Sequence, residues 1–346
     1  MRLRTGKGLW RRMKRVLALI FMMVLAVSLS SCADSSQEAY GSSLMPDTEN
    51  EIAEQSMTEH YTTKTNIEDV INDPIFGDYG RLIFPVNSGY YGGRTLGNLS
   101  LTWYNYIDSD KTVEICNYMR DHAENGESIF YDIYTEEEKD ADPAKRDTGL
   151  FFFKGDSGAK FAVVNAGGGF AYVGAMHDSF PHALELSKMG YNAFALIYRP
   201  GAQTACEDLS RAIAFIFEHA DELQVDTDGY SLWGGSAGGR MADWVGTYGT
   251  ENFGENAYSQ PAAVIVNYTG LSEVTGYEPP TYSAVGTSDG IANWRTMKSR
   301  LDTMSGMGIP TEFHSYDGLP HGFGLGTGTV AEGWIDDAVA FWEDQM

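Results

Sequence analysis

A serine set among glycines stands where an apolar run gives way to a helical pattern: Tyr230-Ser-Leu-Trp233 leads into Gly234-Gly235-Ser236-Ala237-Gly238-Gly239. The spacing satisfies G-x-S-x-G in a strand–turn–helix context. A tight turn there holds the serine in a strained backbone conformation. Side chains at the flanking positions would collide with the neighbouring strand and helix, and glycines remove those collisions. The hydroxyl then stands exposed at the positive end of a helix, which suits a nucleophile. Other uses of a glycine-rich turn fit poorly. A P-loop requires Gly-Lys-Ser/Thr and a dinucleotide site requires G-x-G-x-x-G, and neither is present. A second cluster, Ala166-Gly167-Gly168-Gly169-Phe170, follows the apolar run Phe161–Asn165. Three glycines after a strand let the backbone bend so that N–H groups point at an oxyanion developing during attack.

A nucleophilic serine needs a base and an acid, which in this context follow it in the order acid, then histidine. Of seven histidines, only His314 and His321 lie after Ser236 near the C-terminal strand pattern. His314 falls within the alternating segment Thr311–Tyr316 and reads as a core or edge residue. His321 lies in Asp317-Gly-Leu-Pro-His-Gly-Phe323, the loop leaving that segment, and is the candidate base. His60, His122, His177, His182 and His219 have no motif support and read as surface or packing residues. For the acid, Asp243 and Asp302 fall within helical patterns, whereas Asp289 lies just beyond the apolar run Tyr282–Val285. Asp317 is the fallback, on the histidine's own loop. Metal chemistry has little support: there is no H-E-x-x-H and no cysteine pair at zinc spacing. Asp226-Thr-Asp-Gly229 lacks the later ligands of a calcium loop and reads as a helix-to-strand turn. No cofactor is implied. Cys116 and Cys206 are either a disulfide or two buried free thiols.

The elements that must position these groups alternate. Apolar strand patterns at 161–165, 191–198, 230–233, 262–268 and 282–285, and an alternating one at 311–316, are separated by helical patterns at 178–189, 204–223, 237–248, 294–304 and 329–345. In the second helix Leu209, Ile213, Ile216, Ala220 and Leu223 make one apolar face, and Thr204-Ala-Cys-Glu207 has the form of a capping box. Near-continuous apolar strands between helices predict an α/β fold, a mostly parallel central sheet with helices on both faces. Ligands in such sheets bind at the carboxyl ends of the strands, where both glycine clusters fall. Residues 66–147 carry Tyr90-Tyr91, Trp103-Tyr104-Asn105-Tyr106, a helix near 111–123 and a strand near 128–134; they read as an N-terminal or cap part, its aromatics packing on the core, lining a cap or stacking on sugar rings. Glu136–Asp142 reads as a solvated charge run.

The 346 residues carry 48 acidic and 24 basic groups, a net charge of −24, which disfavours nucleic acid as a partner. The basic residues are uneven. Residues 1–31 hold Arg2, Arg4, Lys7, Arg11, Arg12, Lys14 and Arg15 and no acid, followed by the apolar run Val16–Val27. That is the form of a signal peptide. Leu29-Ser30-Ser31-Cys32 resembles the bacterial lipobox, which implies lipidation at Cys32 and a membrane-anchored protein facing outside the cytoplasm. Residues 32–65 then read as the lipidated cysteine and a disordered polar tether, leaving 66–346 as the folded body.

The motifs together resemble the α/β-hydrolase superfamily, specifically the hormone-sensitive-lipase-like esterases and their acetyl-esterase relatives. Those proteins carry H-G-G-G-[FW] after a strand and G-x-S-A-G-G at the turn; this chain has Ala166-Gly-Gly-Gly-Phe and Gly234-Gly-Ser-Ala-Gly-Gly. Tyr198-Arg199, Glu207-Asp208 and Gly286-Thr-Ser-Asp289 also match that pattern, and the resemblance covers residues 148–346. It implies an α/β-hydrolase fold and a serine carboxylesterase with Ser236, Asp289 and His321 as catalytic residues. The oxyanion donors would be the amides of Gly168, Gly169 and Ala237. It also implies short-chain, acetyl-type esters as substrates, with small molecules or glycans as the alcohol part. Ala166 departs from the pattern, where the family's histidine orders the loop. Two other readings stay open: a serine peptidase of the prolyl-oligopeptidase type, and an inactive surface glycan-binding lipoprotein.

Overall fold

The computed structural model describes residues 60–346. The expected signal peptide (1–31), the expected lipidation at Cys32 and the expected tether up to residue 59 lie outside the described residues. Residues 60–65, assigned by composition to the tether, include packed chain: Tyr61 is buried, and its backbone exchanges hydrogen bonds with the side chain of Asn117 at 2.8 and 3.0 Å. Among the described residues no helix is long and apolar enough to cross a membrane.

Eight strands form the central sheet: β1 (Phe130–Tyr131), β2 (Gly149–Phe153), β3 (Lys160–Asn165), β4 (Asn192–Ile197), β5 (Asp226–Gly235), β6 (Ala263–Asn267), β7 (Thr281–Gly286) and β8 (Thr311–Tyr316). Their spatial order is β8-β7-β6-β5-β3-β4-β2-β1. Strands β3 to β8 run parallel, while β2 pairs antiparallel with β4 and β1 antiparallel with β2. Parallel strands need crossovers, which are supplied by α2 (Phe180–Lys188), α3 (Ala202–Glu218), α4 (Ser236–Tyr248) and α5 (Trp294–Gly306); α6 (Trp334–Glu343) ends the chain and α1 (Ser109–Glu124) precedes the sheet.

Side-chain alternation shows that both sheet faces are covered. Leu232 is in register with Val264, and Trp233 with Ile265, so the two pairs point to opposite faces. A Cβ placed on Gly246 of α4 would lie 2.9 Å from Val264, whereas the Trp233 ring lies 6.2 Å from Trp334 and 6.4 Å from Trp342 of α6. Helices α4 and α6 thus cover opposite faces, and the strand residues between them are buried throughout β6 and β7.

Several local expectations are corrected. Gly149–Phe153 forms a fully buried strand that periodicity alone did not reveal; an unbroken run of five residues carries no alternation when both faces are covered. The strand near 128–134 shrinks to Phe130–Tyr131. Thr204 and Glu207 form no capping box. The helix starts earlier, after Gly201 at φ +105°, and the Thr204 hydroxyl donates to the carbonyls of Pro200 and Gly201. A true capping box occurs at Thr135 and Glu138, so the charge run forms a short helix, Glu136–Ala141; Glu136, Glu137 and Asp140 are exposed as expected of a solvated run, while Lys139 is buried. Leu209, Ile213 and Ile216 are buried as one stripe, but α3 stops at Glu218, and Leu223 belongs to a separate turn. The last helix begins at Trp334, after Gly333 at φ +88°, not at 329. Asp226 opens β5 and pairs with Lys160 at 2.9 Å. Cys116 and Cys206 are buried free thiols whose pKa values burial pushes up.

The N-terminal part is built onto the core. Asp208, fully buried on α3, accepts from the Arg199 guanidinium at 2.7 Å, the Arg199 amide at 2.7 Å and the Tyr134 hydroxyl at 2.7 Å. Arg199 also reaches Asp142 at 2.6 Å. The Tyr-Arg and Glu-Asp pairs singled out in the sequence therefore include a buried ion pair, Arg199 with Asp208, that fastens the loop after β4 to α3 and to residues 134–142.

Candidate active site

Strand β5 runs straight into α4, and Ser236 at the junction has φ +50°. A non-glycine residue in this region is strained by about 1–3 kcal/mol and persists only where its surroundings dictate it. The surroundings here are the glycines. A Cβ at Gly234 would come within 2.4 Å of the Gly238 carbonyl carbon, and one at Gly238 within 2.0 Å of the Asn165 oxygen. Only bare backbone lets β3, β5 and α4 approach this closely, and that approach turns the serine outward.

The loops at the carboxyl ends of three strands bring the remaining groups to it. His321, in the loop after β8, places Nε2 3.0 Å from Ser236 Oγ and Nδ1 2.8 Å from Asp289 Oδ2. Asp289 follows β7. Its other oxygen accepts from the amides of Ile291 and Ala292, each at 2.7 Å, and its side chain is 0% exposed against 12% for His321. An ionised carboxylate only accepts, so the proton of a neutral imidazole sits on Nδ1. Nε2 is then left with a lone pair facing the serine hydroxyl. The Tyr268 ring, held at φ +41° just after β6, packs edge-on against His321 with centroids 5.2 Å apart.

The glycine loop after β3 closes the other side. Gly168 and Gly169 have φ +129° and +62°, and a Cβ on Gly167 would lie 3.0 Å from the Ser236 Cβ, so the loop passes directly against the serine. The Ala166 carbonyl accepts from Tyr198 Oη at 2.7 Å, and the Gly167 amide donates to Asp178 Oδ2 at 2.8 Å. Ala237 is the second residue of α4, where an amide has no partner within the helix. A cleft lined in part by Tyr106, Met176, Leu319, Pro320 and Phe323 opens beside His321.

The other candidates lie elsewhere. His314 sits on the edge strand β8, stacked on Tyr282 with Nε2 2.5 Å from Glu312. Asp243 pairs with Arg300 at 2.7 Å, Asp302 with Lys298, and Asp317 accepts from the Thr287 hydroxyl. His177 and His182 are buried, and desolvation lowers the pKa of both. Among the described residues no cluster of three or more His, Cys, Asp or Glu could hold a metal ion. Sequence reasoning did not single out Asp178 or Tyr268, and it read Tyr104 only as one of the aromatics of the N-terminal part. The Tyr104 hydroxyl donates to Asp178 at 3.0 Å, and the Tyr268 hydroxyl donates to the other carboxylate oxygen. Desolvation raises the pKa of both phenols, keeping them neutral donors.

Comparison with known proteins agrees with this architecture. The BD-FAE family model matches residues 154–295, a span holding both glycine clusters, Ser236 and Asp289. The acetyl ester-xyloside bifunctional hydrolase of Caldicellulosiruptor lactoaceticus superposes with a TM-score of 0.55 at 21% identity, covering 62% of this chain and 95% of that one. The propionate-bound esterase 2 of Thermogutta terrifontis superposes with a TM-score of 0.50 at 22% identity, covering 57% and 89%. No curated protein sequence matches the chain. With its mostly parallel sheet, its serine at the β5–α4 turn and the neighbours it superposes on, the chain has the α/β-hydrolase fold, and the BD-FAE match lies across its centre.

Proposed function

We propose that the chain is a serine carboxylesterase acting on short-chain acyl esters, acetyl esters foremost, with a carbohydrate as the alcohol part. The observation that carries this reading is the hydrogen-bonded chain from Ser236 through His321 to Asp289 beside the glycine loop. Ser236 Oγ attacks the ester carbonyl while His321 Nε2 takes its proton. The amides of Gly168, Gly169 and Ala237 hold the oxyanion of the tetrahedral intermediate, and Asp289 stabilises the imidazolium. His321 returns the proton to the leaving alkoxide, and an acyl-enzyme remains. Water, deprotonated by His321, then attacks the acyl carbonyl; the acid leaves and Ser236 regains its proton.

The neighbours direct the choice of substrates: the C. lactoaceticus protein is named for acetyl esters and xylosides, and the T. terrifontis esterase binds propionate. A fluorophosphonate probe is expected to label Ser236 in the wild type. A p-nitrophenyl ester series is expected to turn over fastest at acetate or propionate. No labelling together with no ester turnover would favour a glycan-binding protein instead.

Support for a carbohydrate comes from Trp103. The residue is 52% exposed, its backbone has φ +73°, and its indole lies against the glycine loop: a Cβ on Gly169 would come within 3.0 Å of the ring. Both neighbouring residues are pinned, Thr102 through its carbonyl to the Tyr172 hydroxyl and Tyr104 through Asp178. Behind the indole, Tyr90 and Tyr172 stack with centroids 4.7 Å apart. Aromatic pairs contribute about 0.5–1.5 kcal/mol beyond their buried area, and a sugar face on the indole is expected to contribute on the same order. Trp103→Ala is expected to raise KM for acetylated xylose up to about tenfold while leaving ethyl acetate unchanged. Equal effects on both substrates would count against stacking on a sugar ring.

A further inference from the structure

The residues that hold the glycine loop in place are not part of the triad. Asp178 ends a short helix, Ala175–Asp178, and its side chain is fully buried. A carboxylate at that depth requires several donors. Three are present, and each belongs to a different wall of the candidate site. Oδ2 accepts from the Gly167 amide at 2.8 Å and from the Tyr104 hydroxyl at 3.0 Å, while Oδ1 accepts from the Tyr268 hydroxyl. The carboxylate lies directly behind the serine turn, because a Cβ on Gly235 would meet Oδ2 at 2.5 Å. Ala166, at the head of the loop, has no side-chain group to anchor it. The preceding residue in the short helix completes the arrangement: His177 Nε2 lies 2.8 Å from the carbonyl of Gly322, the residue after His321, and its ring lies 4.5 Å from that of Tyr104.

The geometry points to Asp178 as a positioning residue that aims the oxyanion donors, with His177 tying the same short helix to the histidine loop. The inference rests on the esterase reading above. Gly167 is the residue immediately before Gly168 and Gly169, so the bond from its amide sets the direction in which the next two amides point. Donors of this kind act only where the oxyanion forms, and a displacement of a fraction of an ångström weakens them. Tyr268 carries the same constraint to His321 through ring packing. Tyr104 makes the N-terminal part of the chain a structural member of the site and not merely a cover.

The test compares Asp178→Ala, Asp178→Asn and Tyr104→Phe with the wild-type protein. Steady-state kinetics on p-nitrophenyl acetate, inhibition by a trifluoromethyl ketone and melting temperature are measured for each. Asp178→Ala is expected to lower kcat about a hundredfold with KM within about threefold, and to weaken the ketone in proportion, since both report on the oxyanion. Asp178→Asn keeps an oxygen for the Gly167 amide, and its NH2 group can donate to a rotated Tyr268 hydroxyl, so most of kcat is expected to return. Tyr104→Phe leaves that amide bond in place and is expected to lower kcat less than tenfold. The inference is overturned if Asp178→Ala keeps wild-type kcat, or if losses in kcat follow the folded fraction alone with unchanged ketone affinity. Should Asp178→Ala fail to fold, Asp178→Asn decides by the same two readouts: wild-type ketone affinity alongside a hundredfold lower kcat would overturn the assignment. A wild type that neither hydrolyses esters nor reacts with a fluorophosphonate would instead overturn the esterase reading on which the inference stands.

Discussion

Ser236→Ala is expected to abolish ester turnover, lowering kcat on p-nitrophenyl acetate by roughly ten-thousand- to million-fold. The hydroxyl lies 3.0 Å from His321 Nε2, which is placed to take its proton as the acyl carbon is attacked. What survives the change is the glycine loop, whose amides can still polarise a bound carbonyl for attack by water. A residual rate above the uncatalysed one is therefore expected. Stability should change little. Alanine inherits the same φ of +50° that Ser236 adopts, with neither relief nor new strain. Turnover by the purified variant, fluorophosphonate labelling and melting temperature check the three parts of this expectation. Wild-type turnover by the variant would remove the serine from the mechanism.

Asp289→Asn is expected to lower kcat about ten-thousand-fold while leaving the fold intact. The reason lies in how the carboxylate is held. Oδ1 accepts two amides, from Ile291 and Ala292. An asparagine oxygen must stay on that side, because an NH2 group there would face two donors. The NH2 therefore turns toward His321 Nδ1. That nitrogen must then accept, the ring proton moves to Nε2, and the imidazole can no longer take a proton from the serine. Nitrogen chemical shifts of the imidazole in the two proteins would report the exchanged tautomer. Unchanged shifts with unchanged turnover would show that Asp289 does not set the tautomer.

Parts of this arrangement are legible in the chain because they are local. The serine turn needs glycines within two or three residues of Ser236, a cluster visible in the chain whatever it faces: Gly234 spares a collision within the turn, whereas Gly235 and Gly238 spare collisions with Asp178, Tyr268 and Asn165. His321 and Asp289 are legible for a related reason: each lies in the loop just past a strand, and the order of the groups along the chain leaves few competitors. The helix face of Leu209, Ile213 and Ile216 follows from periodicity, which depends only on the helical repeat. The failures have equally specific causes. Thr204 has the right neighbour for a capping box, but Gly201 starts the helix before it. Gly149–Phe153 has no alternation to detect, because both of its faces are buried.

Asp178, Tyr104 and Tyr268 mark the boundary of what sequence reasoning reaches. Tyr104 and Asp178 are 74 residues apart, and Asp178 and Tyr268 are 90 apart. No short spacing encodes such contacts, and each residue alone resembles an ordinary packing residue. The sequence by itself determined which side chains carry the proposed chemistry and at which strand ends they stand, because those are properties of turns and of chain order. Only the tertiary structure decided which buried groups hold the glycine loop and the histidine at their working distances. A carboxylate deprived of water must gather its donors wherever the folded chain brings them, whatever their separation in sequence.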